Sequence, residues 1–246
     1  MNDDDTSPAR RDFLRKSLTL IPVVTLASAG LSTRTFAQTP ASDAQPATQP
    51  AAASTYVPTF LTPQEWTFLT AACDRLIPAD HVGPGAVELG VVEFLDRHLQ
   101  TPYANGAIWY MQGPFVEAAP EFGYQGRLNL RDLLRVGMKA MDAHCKQALG
   151  GKVFADLTHT QQEDLLKAAE AGKVELDGVS AKLFFNNLLN EVRNGYFADP
   201  SHGGNKNMGA WKMIGYPGMR ADYMDWVTVR DRPYPLPPVD LAGRRG

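Results

Sequence analysis

The chain has few of the residues on which most cofactor chemistry depends. It holds two cysteines in 246 residues, and no Cys-x-x-Cys-His run, so a covalently attached haem c has no site. Two cysteines cannot hold an iron–sulfur cluster unaided. No Gly-x-Gly-x-x-Gly follows a strand, which excludes a dinucleotide fold of the chain's own. Gly-x-Ser-x-Gly and Walker loops are missing as well. The five histidines, His81, His98, His144, His159 and His202, are scattered without metal-site spacing. Asp142 and His144 are only two apart and face differently on a helix. Each histidine reads as a surface or hydrogen-bonded group. Asp74, Arg75 and Asp80 suit helix-end pairing better than acid–base work. No active site follows from these residues.

Charge of one sign and long apolar runs are also scarce. Residues 1–37 hold five of the 24 Lys/Arg and four of the 27 Asp/Glu, so the remainder carries a net charge of −4. That is too little to draw nucleic acid or an anionic membrane surface. The longest apolar stretch, Leu18 to Leu31, is about 14 residues and is interrupted by Pro22, short of the ~20 that span a bilayer.

What is present begins with Ser7-Pro8-Ala9-Arg10-Arg11-Asp12-Phe13-Leu14-Arg15-Lys16. Paired arginines, a polar residue, Phe and Leu form the twin-arginine export signal, which passes folded proteins across the inner membrane. The export-signal residues are Arg10, Arg11, Phe13 and Leu14. The apolar run then meets Arg34-Thr35-Phe36-Ala37-Gln38, where small residues suit a signal peptidase cutting between Ala37 and Gln38. Residues 1–37 thus read as a twin-arginine signal peptide. Residues 38–58 are rich in Ala, Pro, Thr and Gln and read as a flexible leader. Roughly 180 residues remain, 59–246, enough for one core and one domain.

That domain reads as mainly α, with long irregular loops. Thr62-Pro63-Gln64-Glu65 is a capping box with Pro at the first helical position. Trp66, Leu69, Cys73, Leu76 and Ile77 follow at helical spacing until Pro78. Val87 to Leu99 marks a second helix and Leu130 to Leu149 a third, ended by Gly150-Gly151. Thr160-Gln161-Gln162-Glu163 reads as a capping box opening a fourth that runs to Gly172. A fifth lies near Ser180 to Arg193. No strand-period run of length stands out. Cys73 and Cys145 fall on the apolar faces of the first and third helices. In an oxidising compartment they can form one disulfide; buried free thiols fit the same positions.

Two loops, 100–127 and 195–240, combine Gly and Pro with many rings. Long loops in a compact domain are usually functional, and clustered aromatics with Arg typify interface cores. Trp109, Tyr110, Tyr196, Phe197, Trp211, Tyr216, Arg220 and Tyr223 are the residues this pattern assigns to a partner interface. The other reading is that the rings pack on the domain's own helices.

Longer motifs add a resemblance. Ile77-Pro78-Ala79-Asp80, Gly83-Pro84-Gly85-Ala86, Trp109-Tyr110-Met111-Gln112-Gly113-Pro114-Phe115, Gly195-Tyr196-Phe197-Ala198-Asp199-Pro200, His202-Gly203-Gly204-Asn205 and Trp211-Lys212-Met213-Ile214-Gly215-Tyr216-Pro217-Gly218 resemble the small chain (gamma, or subunit 3) of membrane-bound gluconate 2-dehydrogenase. The resemblance covers the signal and essentially all of residues 60–240. It implies a three-part complex at the periplasmic face of the inner membrane. A large flavoprotein carries FAD and oxidises the sugar acid, and a multihaem cytochrome c passes electrons on. The small subunit holds no cofactor, binds no nucleic acid and engages the twin-arginine translocon, through which it escorts the flavoprotein. Related small subunits serve fructose, sorbitol and 2-ketogluconate dehydrogenases. Two other readings stay open: a free-standing export chaperone, and a small enzyme with its own cofactor. The resemblance brings no catalytic residues to this chain.

Overall fold

The computed structural model describes residues 56–116 and 119–246. The export-signal residues Arg10, Arg11, Phe13 and Leu14, the cleavage pair Ala37 and Gln38, and nearly all of the leader lie outside them. The described residues form a mainly α domain with six α-helices: α1 Pro63–Leu76, α2 Val91–His98, α3 Leu130–Ala148, α4 His159–Glu170, α5 Ala181–Phe197 and α6 Gly209–Ile214. Among the described residues, β pairing is limited to isolated bridges, Gly218 with Val239 and Val239 with Arg245.

Local signals start and stop most of these helices. Thr62 accepts from the Glu65 N–H while the Glu65 side chain accepts from the Thr62 N–H. Two of the donors a helix start leaves unpaired are thereby satisfied. Asn129 caps α3 through the Asp132 N–H and Ser180 caps α5 through the Leu183 N–H. Three expectations need correction. The capping box of α4 is Thr158 with Gln161, two residues before the Thr160 expected. Gln162 in the first turn of α4 is buried, and its amide donates to the Phe154 and Ala155 carbonyls at 3.1 and 3.3 Å. α2 begins at Val91, not Val87. Residues 86–90 form a turn that closes on Gly90, whose φ of 75° suits a residue without Cβ. α6 has no counterpart in the sequence reading. Six residues are too few to show a helical period.

α5 is the central element and packs against α1, α2, α3, α4 and α6. Phe184, Leu188 and Val192 form its buried stripe. Two glycines allow close approach. A Cβ on Gly137 of α3 would lie 2.0 Å from the Phe184 ring, and one on Gly195 of α5 would lie 2.6 Å from Phe94. Phe68, Phe154 and Phe184 fill the middle, with ring centroids 4.7 and 6.3 Å from Phe68.

Asp96 fastens the start of the domain to α2. Its fully buried carboxylate accepts from the Tyr56 hydroxyl at 2.6 Å and from the Leu61, Thr59 and Phe60 N–H groups at 2.7, 2.9 and 3.0 Å. Tyr56, which composition assigns to the leader, is therefore held by the domain and stacks on Trp66 at 5.9 Å. Burial alone would raise the Asp96 pKa, but these donors outweigh it and hold the carboxyl below its usual range. A depressed folded pKa stabilises the protein above the unfolded value of about 3.9, and that contribution fades as pH falls through the folded value. Asp96→Asn is expected to cost roughly 2–3 kcal/mol at neutral pH. In urea titrations the gap from wild type should close below about pH 4. A gap independent of pH would show that the charge contributes nothing.

Candidate functional site

Residues 101–116 follow α2, and residues 119–128 lead into α3. Asn129 ties the first stretch down: its side-chain amide donates to the Asn105 carbonyl at 3.0 Å while its oxygen caps α3. Trp109 donates its indole N–H to the Tyr103 carbonyl at 3.0 Å, and their rings meet edge to face at 5.3 Å. The ring series continues inward through His98, 5.4 Å from Tyr103, to Phe94, 5.0 Å from His98.

The outer end of this series and the rings near it in the chain face solvent. Tyr110 is 84% exposed, Phe122 73% and Trp109 53%. Ile108, Phe115, Val116 and Tyr124 are exposed beside them. Between this loop and α5 lies a groove of about 1220 Å³. Tyr103, Trp109, Tyr110, Phe115 and Tyr124 line one side. The polar face of α5 lines the other, with Asn187, Asn190 and Asn194 along it and Phe197 at its end. Glu191 also lines the groove although its side chain is only 4% exposed. One of its oxygens accepts from Asn194 at 3.1 Å, and the other lies 3.1 Å from His98 Nε2. The sequence reading singled out neither His98 nor Glu191 for pairing. They are 93 positions apart in the chain, and nothing local signals that they meet.

The structure divides the expected interface residues. Trp109, Tyr110 and Phe197 are exposed and line the groove together. Tyr216 is 39% exposed and packs edge to face on Trp211 at 5.1 Å, away from the groove lining. Tyr196 and Trp211 are a correction: both are buried, each 3% exposed. The Tyr196 hydroxyl donates to the Pro84 carbonyl at 2.7 Å and the Trp211 indole N–H to the Phe197 carbonyl at 2.9 Å. They hold the 195–216 segment onto this domain's own core. Arg220 and Tyr223 are half-buried and fold the following segment on itself. Arg220 donates to the Pro237 carbonyl and lies 5.3 Å from the Tyr234 ring centre, while the Tyr223 hydroxyl donates to the Gly218 carbonyl. The sequence counted rings correctly but carried no sign of which side each would face.

Cys73 and Cys145 are both fully buried, on α1 and α3, and both are free thiols. Burial pushes the Cys73 thiol up to about 12 and Cys145 up to about 11, with Asp74 and Asp142 adding to each in turn. Such thiols are poor nucleophiles at neutral pH. Native protein is expected to resist maleimide, and two thiols should alkylate after unfolding without reductant. Mass spectrometry of non-reduced protein checks this, and a missing pair of alkyl groups would reveal a bridge.

Among the described residues no three His, Cys, Asp or Glu side chains are grouped to hold a metal ion, and no helix is long and apolar enough to cross a membrane. A helical domain that carries this many rings on the outside has the surface of a protein built into a larger assembly. Residues 63–218 match the family described as gluconate 2-dehydrogenase subunit 3, and the chain belongs to that family. It is therefore a subunit of a dehydrogenase complex with partner subunits. Nothing among curated proteins and nothing among solved structures matches it.

Proposed function

We propose that this chain is the non-catalytic small subunit of a periplasmic, membrane-associated, FAD-dependent gluconate 2-dehydrogenase complex. It escorts the flavoprotein subunit through twin-arginine export and then stabilises it. FAD belongs to the large subunit and haem c to the cytochrome subunit. The observation that carries the reading is the exposed ring surface of residues 103–124 on a chain of this family. Apolar rings in this number cost solubility unless a partner covers them. The export signal at Arg10 and Arg11, and the lack of any dinucleotide or haem motif, fit a subunit that brings a partner across rather than a cofactor of its own.

Assembly tests it. Tyr110 is almost free of its own domain, so Tyr110→Ala should leave the melting temperature of the isolated subunit unchanged. At an interface centre the truncation costs about 2 kcal/mol, or roughly 30-fold in affinity for the flavoprotein. Dehydrogenase activity should fall with the amount of complex, at an unaltered Michaelis constant. Full assembly of the variant would remove the loop from the interface. A flavin or haem absorption band in the isolated chain would overturn its non-catalytic role, and its absence from mature complex purified from membranes would make it a chaperone that leaves after export.

A further inference from the structure

Beside the exposed rings, the groove carries chemistry that a flat apolar contact does not need. Asn187, Asn190 and Asn194 are spaced by three and four residues, so they share one face of α5. Their amides are only partly used. Asn187 donates to the Leu183 carbonyl at 2.8 Å and Asn194 to Glu191, which leaves both amide oxygens available, and the Asn190 amide makes no hydrogen bond among the described residues. Each carboxamide offers an acceptor and an N–H beyond the bonds above, in the pattern a peptide unit requires. The three span about 10 Å of helix, which equals roughly three residues of extended chain.

The second observation is Glu191. A carboxylate this deeply buried is costly unless paired. Asn194 satisfies one oxygen. The other has only the His98 nitrogen at 3.1 Å, and no hydrogen bond of good geometry joins the two. The opposite wall is aromatic, and ring faces attract cations. A buried anion below such a wall is complementary to a positively charged side chain. The other charged group in the lining, Arg193, is exposed. Volume points the same way. At about 1220 Å³ the groove exceeds the roughly 300–1,000 Å³ of sites for single small molecules.

We propose that the groove between residues 103–128 and α5 receives an extended segment of the flavoprotein subunit. The Asn187–Asn190–Asn194 row bonds its backbone, the rings cover its apolar side chains, and Glu191 takes an Arg or Lys from it. The proposal rests on the interface reading above and places the partner's segment in the groove rather than only against the loop.

Photo-crosslinking in the intact complex tests it, with benzoylphenylalanine placed at position 190 or at position 110. Crosslinks from 190 should map to one contiguous flavoprotein segment that contains a Lys or Arg. Asn190→Ala and Glu191→Gln should each weaken subunit affinity by at least tenfold. Asn190 holds nothing in its own domain, so its variant should melt as wild type. If 110 crosslinks to the flavoprotein but 190 does not, and both variants bind as wild type, the groove proposal is overturned while the loop interface stands. If neither position crosslinks in an assembled complex, both fail. A captured segment without a basic residue overturns the role of Glu191.

Discussion

Changing Arg10 and Arg11 together to lysine is expected to leave both this chain and its flavoprotein in the cytoplasm. The substitution keeps two positive charges at the same places in the signal. It removes the planar guanidinium forks, which lysine's compact ammonium cannot imitate. On the export role proposed above, a receptor that reads arginine geometry is blinded while net charge, apolar run and the Ala37–Gln38 pair stay as they were. The apolar run, about 14 residues broken by Pro22, falls short of the ~20 that span a bilayer. The expected loss of periplasmic enzyme is near total, larger than any assembly defect from a single interface residue. Cell fractionation with antibodies to both subunits measures it. Flavoprotein that still reaches the periplasm beside the lysine variant would sink the escort role and leave the structural role untouched.

The helices were readable where local rules set them. The Thr62–Glu65 capping box and the Pro78 stop act within four residues of α1, and both hold in the structure. At α4 two threonines each stand three residues before a glutamine or glutamate, and local rules cannot choose between them. The structure takes the first: the helix starts at His159, and the Gln162 amide in its first turn donates to the Phe154 carbonyl. The site was half readable. Aromatic density in residues 100–127 marked a surface that is in fact exposed. The Glu191–His98 contact and the Asp96 clasp join residues 93 and about 35–40 positions apart. Such pairings are products of the fold, and no spacing rule reports them. The arm after α5, residues 198–240, illustrates the same limit: its Gly, Pro and aromatic pattern fits a partner interface and packing on its own helices equally well. At Gly204 a Cβ would sit 2.1 Å from the Gly195 carbonyl oxygen, so glycine there permits contact with this domain's own α5.

Trp211→Ala is accordingly expected to damage the domain itself. Trp211 is 3% exposed on α6 and packs edge to face with Tyr216. Its indole N–H satisfies the Phe197 carbonyl in the last turn of α5, where helix carbonyls have no partner within the helix. Truncation to alanine empties an aromatic-sized volume and leaves that carbonyl without its donor. Large-to-small changes of this kind cost about 3–5 kcal/mol, a large share of the roughly 5–15 kcal/mol that holds a domain together. For a domain of this size the melting temperature should fall by roughly 6–20 °C. Helical content below the transition should change little, because α6 contributes only six residues. Binding of the flavoprotein should weaken too, but only as far as the folded fraction falls. Tyr110→Ala is the control: it should weaken assembly without moving the melting curve. Differential scanning calorimetry of the two isolated variants separates the cases. A Trp211→Ala domain that melts with wild type would return Trp211 to the partner interface and would mean that something other than this indole fastens the arm to α5.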